Sequence, residues 1–152
     1  MLFLLFQLGT DRYALDARQV VEALPLVTLK QIPHAPPGVA GLFNYRGKPV
    51  PAIDLNELML RRPAAQRFST RIVLVRYTGA DRCEHALGLI AEHVKETVRR
   101  EATDFVDDGI MTPSAPYLGP VATDASGLLQ WVQVDQLLSQ SLQDLLFQEL
   151  TA

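Results

Sequence analysis

The stretch that decides the fold is Gly41-Leu42-Phe43-Asn44-Tyr45-Arg46-Gly47-Lys48-Pro49-Val50-Pro51-Ala52-Ile53-Asp54-Leu55. Two apolar β-formers precede a turn over residues 44–47, where Gly47 accepts the positive φ that a tight hairpin needs. An apolar run follows, and its two prolines predict an edge strand or the first residues of a strand. Arg46 lies at the turn, where a long cation is either simply solvated or free for a bidentate contact with a partner. The stretch therefore predicts a β-hairpin with an exposed arginine at its tip, followed by a helix.

The composition is that of an ordinary folded chain. Its 152 residues are 48% hydrophobic and 20% charged, which excludes intrinsic disorder. A formal net charge of −3 gives no electrostatic reason to expect a nucleic-acid partner. A single cysteine, Cys83, cannot form an internal disulfide, and this favours a reducing compartment. The apolar residues 1–6 lack the basic flank and cleavage site of a signal peptide, and no segment is long enough to insert into a membrane. A cytoplasmic location is therefore expected.

The rest of the chain reads mainly as strands and turns. Apolar runs and period-2 alternation predict strands over residues 3–8, 13–15, 26–29, 71–77, 86–91, 93–98 and 128–134. We expect Asp16 to cap a short helix over 17–20, and Asn56 to cap a helix that begins at Glu57. Gly88, inside a strand, suggests a bulge.

The last third repeats the pattern of the opening stretch. Residues 132–137 resemble residues 53–58, and each copy follows a hairpin and leads into a helix, for which Asp135 is the cap in the second copy. A degenerate internal repeat and a chance similarity of two short hairpins both explain this. A C-terminal helix is predicted over 136–150, because leucines and Phe147 recur at spacings of three and four. Its apolar face, together with Trp131, is expected to pack on the core of the domain, and a partner-binding helix is the alternative.

The motifs resemble, in their order, the signature of the CheW-like domain. They comprise two adjacent prolines at 36–37, the glycine and apolar pair at 41–43, Asn44-Tyr45-Arg46-Gly47, the proline-bearing strand and Ile53-Asp54-Leu55. Members of that family usually carry Asn-Leu-Arg-Gly at the turn, so Tyr45 is a departure. Glutamine and tryptophan at 130–133, where the family tends to be aliphatic, suggest a divergent paralogue from a specialised chemosensory system, such as surface sensing or pilus control.

This resemblance implies a fold and a function. The fold is mainly β: two SH3-like five-stranded barrels packed around a shared core, with short helices and a C-terminal helix. Residues 1–152 would form a single domain, with the barrels divided near residues 63–70. The function would be that of a non-catalytic adaptor, recruited to receptor arrays, that couples the cytoplasmic tips of chemoreceptors to the regulatory domain of a histidine autokinase.

The resemblance also implies which residues face the receptor: Val20, Glu22, Gly41, Asn44, Tyr45 and Arg46. Glu22 has a second interpretation, because alternation along 20–24 predicts that it points to solvent while its apolar neighbours point inward. An aliphatic patch with one carboxylate also suits an amphipathic helix, whose register the charge would set. Gly41 is included because glycine permits close approach of another backbone. The residues that face the kinase are not assigned.

Chemistry of other kinds has little support in the sequence. Nucleophile elbows, phosphate loops and dinucleotide fingerprints are lacking. Cys83 and His85 could serve a small β-barrel enzyme or ligand-binding domain, and a nucleic-acid-binding barrel is a further alternative. With His93 they offer too few ligands for a metal, and the acidic residues 104–108 lack the EF-hand frame. We therefore expect no catalytic residues, metal or cofactor.

Overall fold

The structure is a computed structural model that describes residues 1–66, 69–110 and 112–147. Its strands are β1 Leu2–Leu8, β2 Asp11–Asp16, β3 Val20–Pro25, β4 Val39–Tyr45, β5 Lys48–Asp54, β6 Arg71–Thr78, β7 Glu84–Ala91, β8 Thr97–Arg99, β9 Leu118–Asp124 and β10 Gly127–Val132. Its helices are α1 Leu55–Leu60 and α2 Gln140–Leu146, with 3₁₀ turns at Ala17–Gln19, Ala102–Asp104 and Val134–Gln136. The predicted C-terminal helix is thus shorter than expected, and its last residues, 148–150, lie outside the described residues.

The strands form two five-stranded sheets, each closed into a barrel. The terminal barrel has the strand order β8-β1-β2-β10-β9, and the central barrel has the order β3-β6-β7-β5-β4. In the central barrel, Lys30 joins the segment after β3 to Leu42 on β4 through two backbone hydrogen bonds of 2.8 and 2.9 Å. In the terminal barrel, Val106 joins Val121 on β9 by bonds of the same lengths, 2.8 and 2.9 Å. The prediction of a mainly β fold with two five-stranded barrels is confirmed.

The two barrels have the same arrangement of strands, and each receives one strand from the other half of the pattern. Hairpin β1–β2 corresponds to β6–β7, and hairpin β9–β10 corresponds to β4–β5, with one parallel pairing in each barrel. The remaining strand crosses over, since β3 follows β2 but pairs with β6, and β8 follows β7 but pairs with β1. This arrangement agrees with the predicted internal repeat. Residues 63–70 connect α1 to β6, and the strands on both sides belong to the central barrel, so the expected division there does not coincide with a change of barrel.

One large core lies between the barrels and draws on both. The terminal barrel contributes five buried side chains from β1 and β2, and the central barrel contributes side chains from β5, β6 and β7; they include Leu4, Phe6, Leu8, Tyr13, Leu15, Ile53, Val73, Val75, Tyr77, Leu87 and Leu89. Burial of so many large apolar side chains in one cluster is the main stabilising term for such a fold. The expected shared core is present, and it holds the two barrels together.

The structure corrects one predicted strand and distinguishes between the two alternatives for another. Residues 26–29 form no strand, because the chain there crosses from one end strand of the central barrel to the other and only Lys30 lies alongside β4. β5 is not an edge strand, since it pairs with both β4 and β7, but Pro49 and Pro51 do lie in its first half, as the other alternative predicted. Its prolines are tolerated because β7 contacts only residues 52–54, beyond Pro51, and leaves the proline-bearing half with one partner.

Two helix caps and one bulge are also corrected. Asp54, not Asn56, caps α1, and its Oδ1 accepts a hydrogen bond of 3.3 Å from the backbone N–H of Glu57. Ser139, not Asp135, caps α2. The β6–β7 register runs without a shift past Gly88, so there is no bulge. A Cβ at that glycine would lie 2.5 Å from the ring of Phe43, which shows that the residue makes room for packing.

The predicted strand over 93–98 is largely absent. The regular strand is limited to Thr97–Arg99, because His93 has a φ of +48°, which interrupts extended backbone. Lys95 and Glu96 still make backbone hydrogen bonds of 2.8 and 3.3 Å with Leu5 on β1. The cap at Asp16 is confirmed, as its carboxylate accepts a hydrogen bond of 3.0 Å from the backbone N–H of Arg18.

Candidate functional site

The β4–β5 hairpin turns through two left-handed residues. Arg46 has a φ of +51° and Gly47 a φ of +87°, between the paired residues Tyr45 and Lys48. Positive φ at both central positions is the type I′ geometry that follows the twist of the flanking strands. The Asn44 side-chain oxygen accepts a hydrogen bond of 2.8 Å from the backbone N–H of Gly47 and closes the turn. The turn geometry therefore points the arginine away from the barrel.

Closure of the central barrel brings Glu22 on β3 to this turn. The Tyr45 hydroxyl donates a hydrogen bond of 2.6 Å to Glu22 Oε2, and Arg46 Nη2 lies 3.4 Å from the same oxygen. The expectation that Glu22 simply points to solvent is wrong, because the side chain on the exposed face of β3 is Val21, which is 42% exposed. Glu22 lies opposite Leu74, which lines the central barrel, and a register shift in the β3–β6 pairing separates it from Val20. Tyr45 and Arg46 meet its charge. Glu22 and residues 44–47 are called the central tip from here on.

The remaining two predicted site residues lie deeper. Val20 is half-buried and packs against the shared core. Gly41 is buried, has a φ of +143°, and a Cβ there would meet the carbonyl oxygen of Lys30. The close approach that this glycine permits is thus made by its own chain, at the hydrogen-bonded bridge that closes the barrel.

The electrostatics of the central tip leave one charge facing outward. The Arg46 side chain is 78% exposed, whereas that of Glu22 is 36% exposed. The guanidinium carbon lies 5.2 Å from the centre of the Tyr45 ring, within range of a cation–π contact. The hydrogen bond to Glu22 raises the pKa of Tyr45, which keeps the hydroxyl protonated and donating.

The corresponding turn of the terminal barrel has its charges paired among themselves. Asp124 accepts a hydrogen bond of 2.6 Å from Arg12 and one of 3.2 Å from Arg100. The Arg12 contact is the main reason that the pKa of Asp124 lies below its usual value. Turn chemistry in the sequence indicated this hairpin, but nothing in the sequence connects Asp124 to an arginine that precedes it by 112 residues. The two turns occupy corresponding places in their barrels, but they differ in charge and in backbone, since the two residues between the paired positions are left-handed only in the central tip.

The Cys83/His85 loop, on which the enzyme or ligand-binding alternative rests, is a surface turn. Cys83 is exposed, and the His85 ring stacks on Phe147 at 4.1 Å while its Nε2 lies 2.9 Å from Asp81 Oδ2. These contacts attach α2 to the β6–β7 hairpin. Across residues 1–66, 69–110 and 112–147, no group of three or more His, Cys, Asp and Glu side chains is arranged to hold a metal.

A buried polar cluster beside α1 was not predicted from the sequence. Glu92 is 5% exposed, and its Oε1 accepts hydrogen bonds of 2.8 Å from Asn56 Nδ2 and 2.9 Å from the backbone N–H of Ala65. Burial raises the pKa of Asp54, although the backbone N–H groups of Ala64 and Glu57 oppose that shift. The cluster fastens the segment after α1 to the central barrel, and its role is structural.

Comparisons with known proteins agree with this architecture. The model of the CheW-like domain matches residues 2–142. A chemotaxis protein CheW of Klebsiella aerogenes is 23% identical over 139 residues, 90% of this chain and 81% of that protein. A chemotaxis protein CheW of Helicobacter pylori is 26% identical over 103 residues, which are 68% of this chain but only 59% of that protein. The crystal structure of the scaffolding protein TtCheW from Thermoanaerobacter tengcongensis superposes with a TM-score of 0.78 at 23% identity, over 91% of this chain and 87% of that one.

The chain therefore belongs to the CheW-like domain family, as its motifs indicated. The family match covers both barrels, and the structural match independently supports the fold. None of the helices in the described part of the chain has the length and apolarity needed to cross a membrane.

Proposed function

We propose that the protein is a non-catalytic adaptor that couples chemoreceptors to a histidine autokinase. The observation that carries the proposal is the central tip, where an exposed guanidinium is fixed on a type I′ turn next to a carboxylate from a strand 24 residues away in sequence. The family relationship supports it, because relatives in two organisms are named chemotaxis proteins. Val20, Glu22, Asn44, Tyr45 and Arg46 form the receptor-facing surface in this proposal, with Gly41 supporting it from beneath.

The geometry suits recognition of a helical segment. The apolar Val21 is exposed on β3 beside Glu22, so an amphipathic helix could cover apolar area while one charged side chain meets the tip. Charge pairs at the rim of such a contact fix register and select partners more than they add affinity. The receptor would thus be held in one orientation relative to the barrels.

The adaptor acts by linking two binding events. A second surface, whose residues are unassigned, contacts the regulatory domain of the kinase, and residues 1–152 act as one domain between the two partners. A shift in the receptor then changes kinase activity through a coupling free energy, which is reciprocal between the two contacts. In this proposal the protein is cytoplasmic and is recruited to receptor arrays.

Affinity isolation from the source organism tests the proposal. Tagged wild type is compared with Arg46→Glu and with Arg82→Glu, a matched control because Arg82 is also an exposed, left-handed arginine, with a φ of +61°, in the turn between β6 and β7. Wild type and Arg82→Glu should retain a chemoreceptor and a histidine kinase, identified by mass spectrometry, and Arg46→Glu should lose the receptor alone. Absence of both proteins from the wild-type isolate contradicts the proposal.

A further inference from the structure

One aromatic side chain contacts both charges of the central tip. The hydroxyl of Tyr45 is hydrogen bonded to Glu22 Oε2 at 2.6 Å, and its ring lies 5.2 Å from the guanidinium carbon of Arg46. A leucine in the same place has neither a hydroxyl nor an aromatic face. The positions of both charges therefore depend on the identity of residue 45.

The two contacts of Tyr45 hold the Glu22 carboxylate inside the tip and leave the Arg46 guanidinium on the outside. Glu22 takes its short hydrogen bond from a neutral donor, whereas its contact with Arg46 is longer, at 3.4 Å. Because the hydroxyl satisfies the carboxylate, the guanidinium is not drawn fully into an internal ion pair. The corresponding turn of the terminal barrel shows the other outcome, since Asp124 there binds two arginines directly at 2.6 and 3.2 Å.

We propose that Tyr45 is a positioning residue that keeps Arg46 available, and that the receptor segment recognised at the central tip presents a carboxylate to Arg46. This inference rests on the proposed function and adds the chemistry of the partner. The outward guanidinium matches a planar carboxylate through two parallel N–H···O hydrogen bonds.

A partner cation directed at Glu22 fits the tip poorly. It would have to displace the Tyr45 hydroxyl from a 2.6 Å hydrogen bond and to approach within a few ångströms of the Arg46 guanidinium. Repulsion between like charges at an interface selects against such partners. Receptors with an acidic residue at the contact are therefore preferred over receptors with a basic one.

Tyr45 is tested with the full chain and a soluble cytoplasmic fragment of a receptor of the source organism, by calorimetric titration. Tyr45→Phe keeps the ring and removes the hydroxyl, so Glu22 turns to Arg46 and the dissociation constant should rise about threefold to tenfold, the worth of one hydrogen bond. Tyr45→Leu removes both contacts and should weaken binding further. Tyr13→Phe is the matched control, because it removes a tyrosine hydroxyl from β2 of the terminal barrel, and its affinity should equal that of wild type.

A spectroscopic titration separates positioning from a merely structural effect. Titration of wild type and Glu22→Gln is followed by the ultraviolet absorbance of tyrosinate. The pKa of one tyrosine, Tyr45, should be lower in Glu22→Gln because the charge of Glu22 is gone, while the thermal midpoint stays nearly constant. An unchanged titration in Glu22→Gln, or a Tyr45→Phe variant that binds the fragment as tightly as wild type, overturns the positioning role.

Charge reversal tests the chemistry of the partner. Each Asp and Glu of the receptor tip is replaced in turn by Lys, and each fragment is titrated against wild type and Arg46→Glu. One lysine fragment should bind Arg46→Glu at least about tenfold tighter than the unmodified fragment does. If no lysine fragment binds Arg46→Glu more tightly than the unmodified fragment does, the inference is wrong while the adaptor function stands. If wild type binds no receptor fragment, the function and the inference fail together.

Discussion

Replacing Gly41 with alanine should destabilise the central barrel before it disturbs any contact with a partner. Gly41 has a φ of +143°, and an added Cβ would meet the Lys30 carbonyl oxygen and lie 3.3 Å from the Leu29 Cβ. The backbone conformation alone costs about 1–3 kcal/mol for a residue other than glycine. Crowding of the Lys30 backbone adds about 1–3 kcal/mol, because the same carbonyl accepts the hydrogen bond that closes the barrel. We expect the free energy of unfolding to fall by about 2–6 kcal/mol.

Urea denaturation of Gly41→Ala and Gly127→Ala separates the two contributions. Gly127 also has a positive φ, +107°, but a Cβ there would have no neighbour within 4 Å, and the residue lies in the terminal barrel, away from the central tip. The control should therefore lose only the conformational part, about 1–3 kcal/mol. If Gly41→Ala is no less stable than Gly127→Ala and yet fails to bind the receptor when fully folded, then Gly41 contacts the receptor directly and the structural explanation is wrong.

Three further changes probe the features that hold the fold. Glu92→Ala leaves two buried N–H donors without their acceptor and should lower the free energy of unfolding by about 2–4 kcal/mol, whereas Glu92→Gln keeps a carbonyl oxygen and should lose less; equal losses in urea denaturation would contradict this. Asp124, whose pKa Arg12 lowers, stabilises the folded state fully above its ordinary pKa of 3.8, and this contribution is lost as the pH falls through the lowered value. The difference in urea midpoint between wild type and Asp124→Asn should therefore shrink below about pH 4, and a constant difference would refute the assignment. Phe147→Ala removes the ring stacked on His85 and should speed amide hydrogen exchange within Gln140–Leu146 about tenfold, while unchanged exchange would show that the stack does not hold α2.

The local chemistry of the opening stretch made the hairpin predictable. Gly47 and the preceding polar residues specify a turn, and the turn fixes the register of the strands on either side. The long apolar runs of β1 and β6 were equally clear, because strands buried between two barrels need not alternate. The two barrels were predicted from the family signature alone, because no local sequence pattern distinguishes two closed barrels from one open sheet.

The errors come from interactions between distant residues. Asn56 has the composition of a helix cap, but Asp54 occupies the capping position and Asn56 is drawn into the core by Glu92, which lies 36 residues later. Gly88 resembles a bulge in sequence, yet its role is to admit Phe43 from another strand. Alternation placed Glu22 in solvent, and only the closed barrel shows that Tyr45 is there to bind it.

The sequence could suggest members of the candidate site but not their arrangement. The family motif suggested residues on β3 and on the β4–β5 hairpin, and β3 and β4 lie at opposite ends of the strand order. Their proximity follows from barrel closure, which the bridge between Lys30 and Leu42 completes. No sequence spacing encodes that contact, so the hydrogen bond between Tyr45 and Glu22 could be identified only from the three-dimensional structure.

A reconstituted phosphorylation assay tests most directly whether the protein places the kinase under receptor control. Receptor-containing vesicles and the kinase isolated with the protein are mixed with radiolabelled ATP, with wild type, Arg46→Glu, Arg82→Glu or no adaptor. We expect kinase autophosphorylation to respond to receptor only when wild type or Arg82→Glu is present, and Arg46→Glu to behave like the mixture without adaptor. A kinase whose autophosphorylation is the same with and without the wild-type protein, in the presence of receptor, would contradict the coupling function.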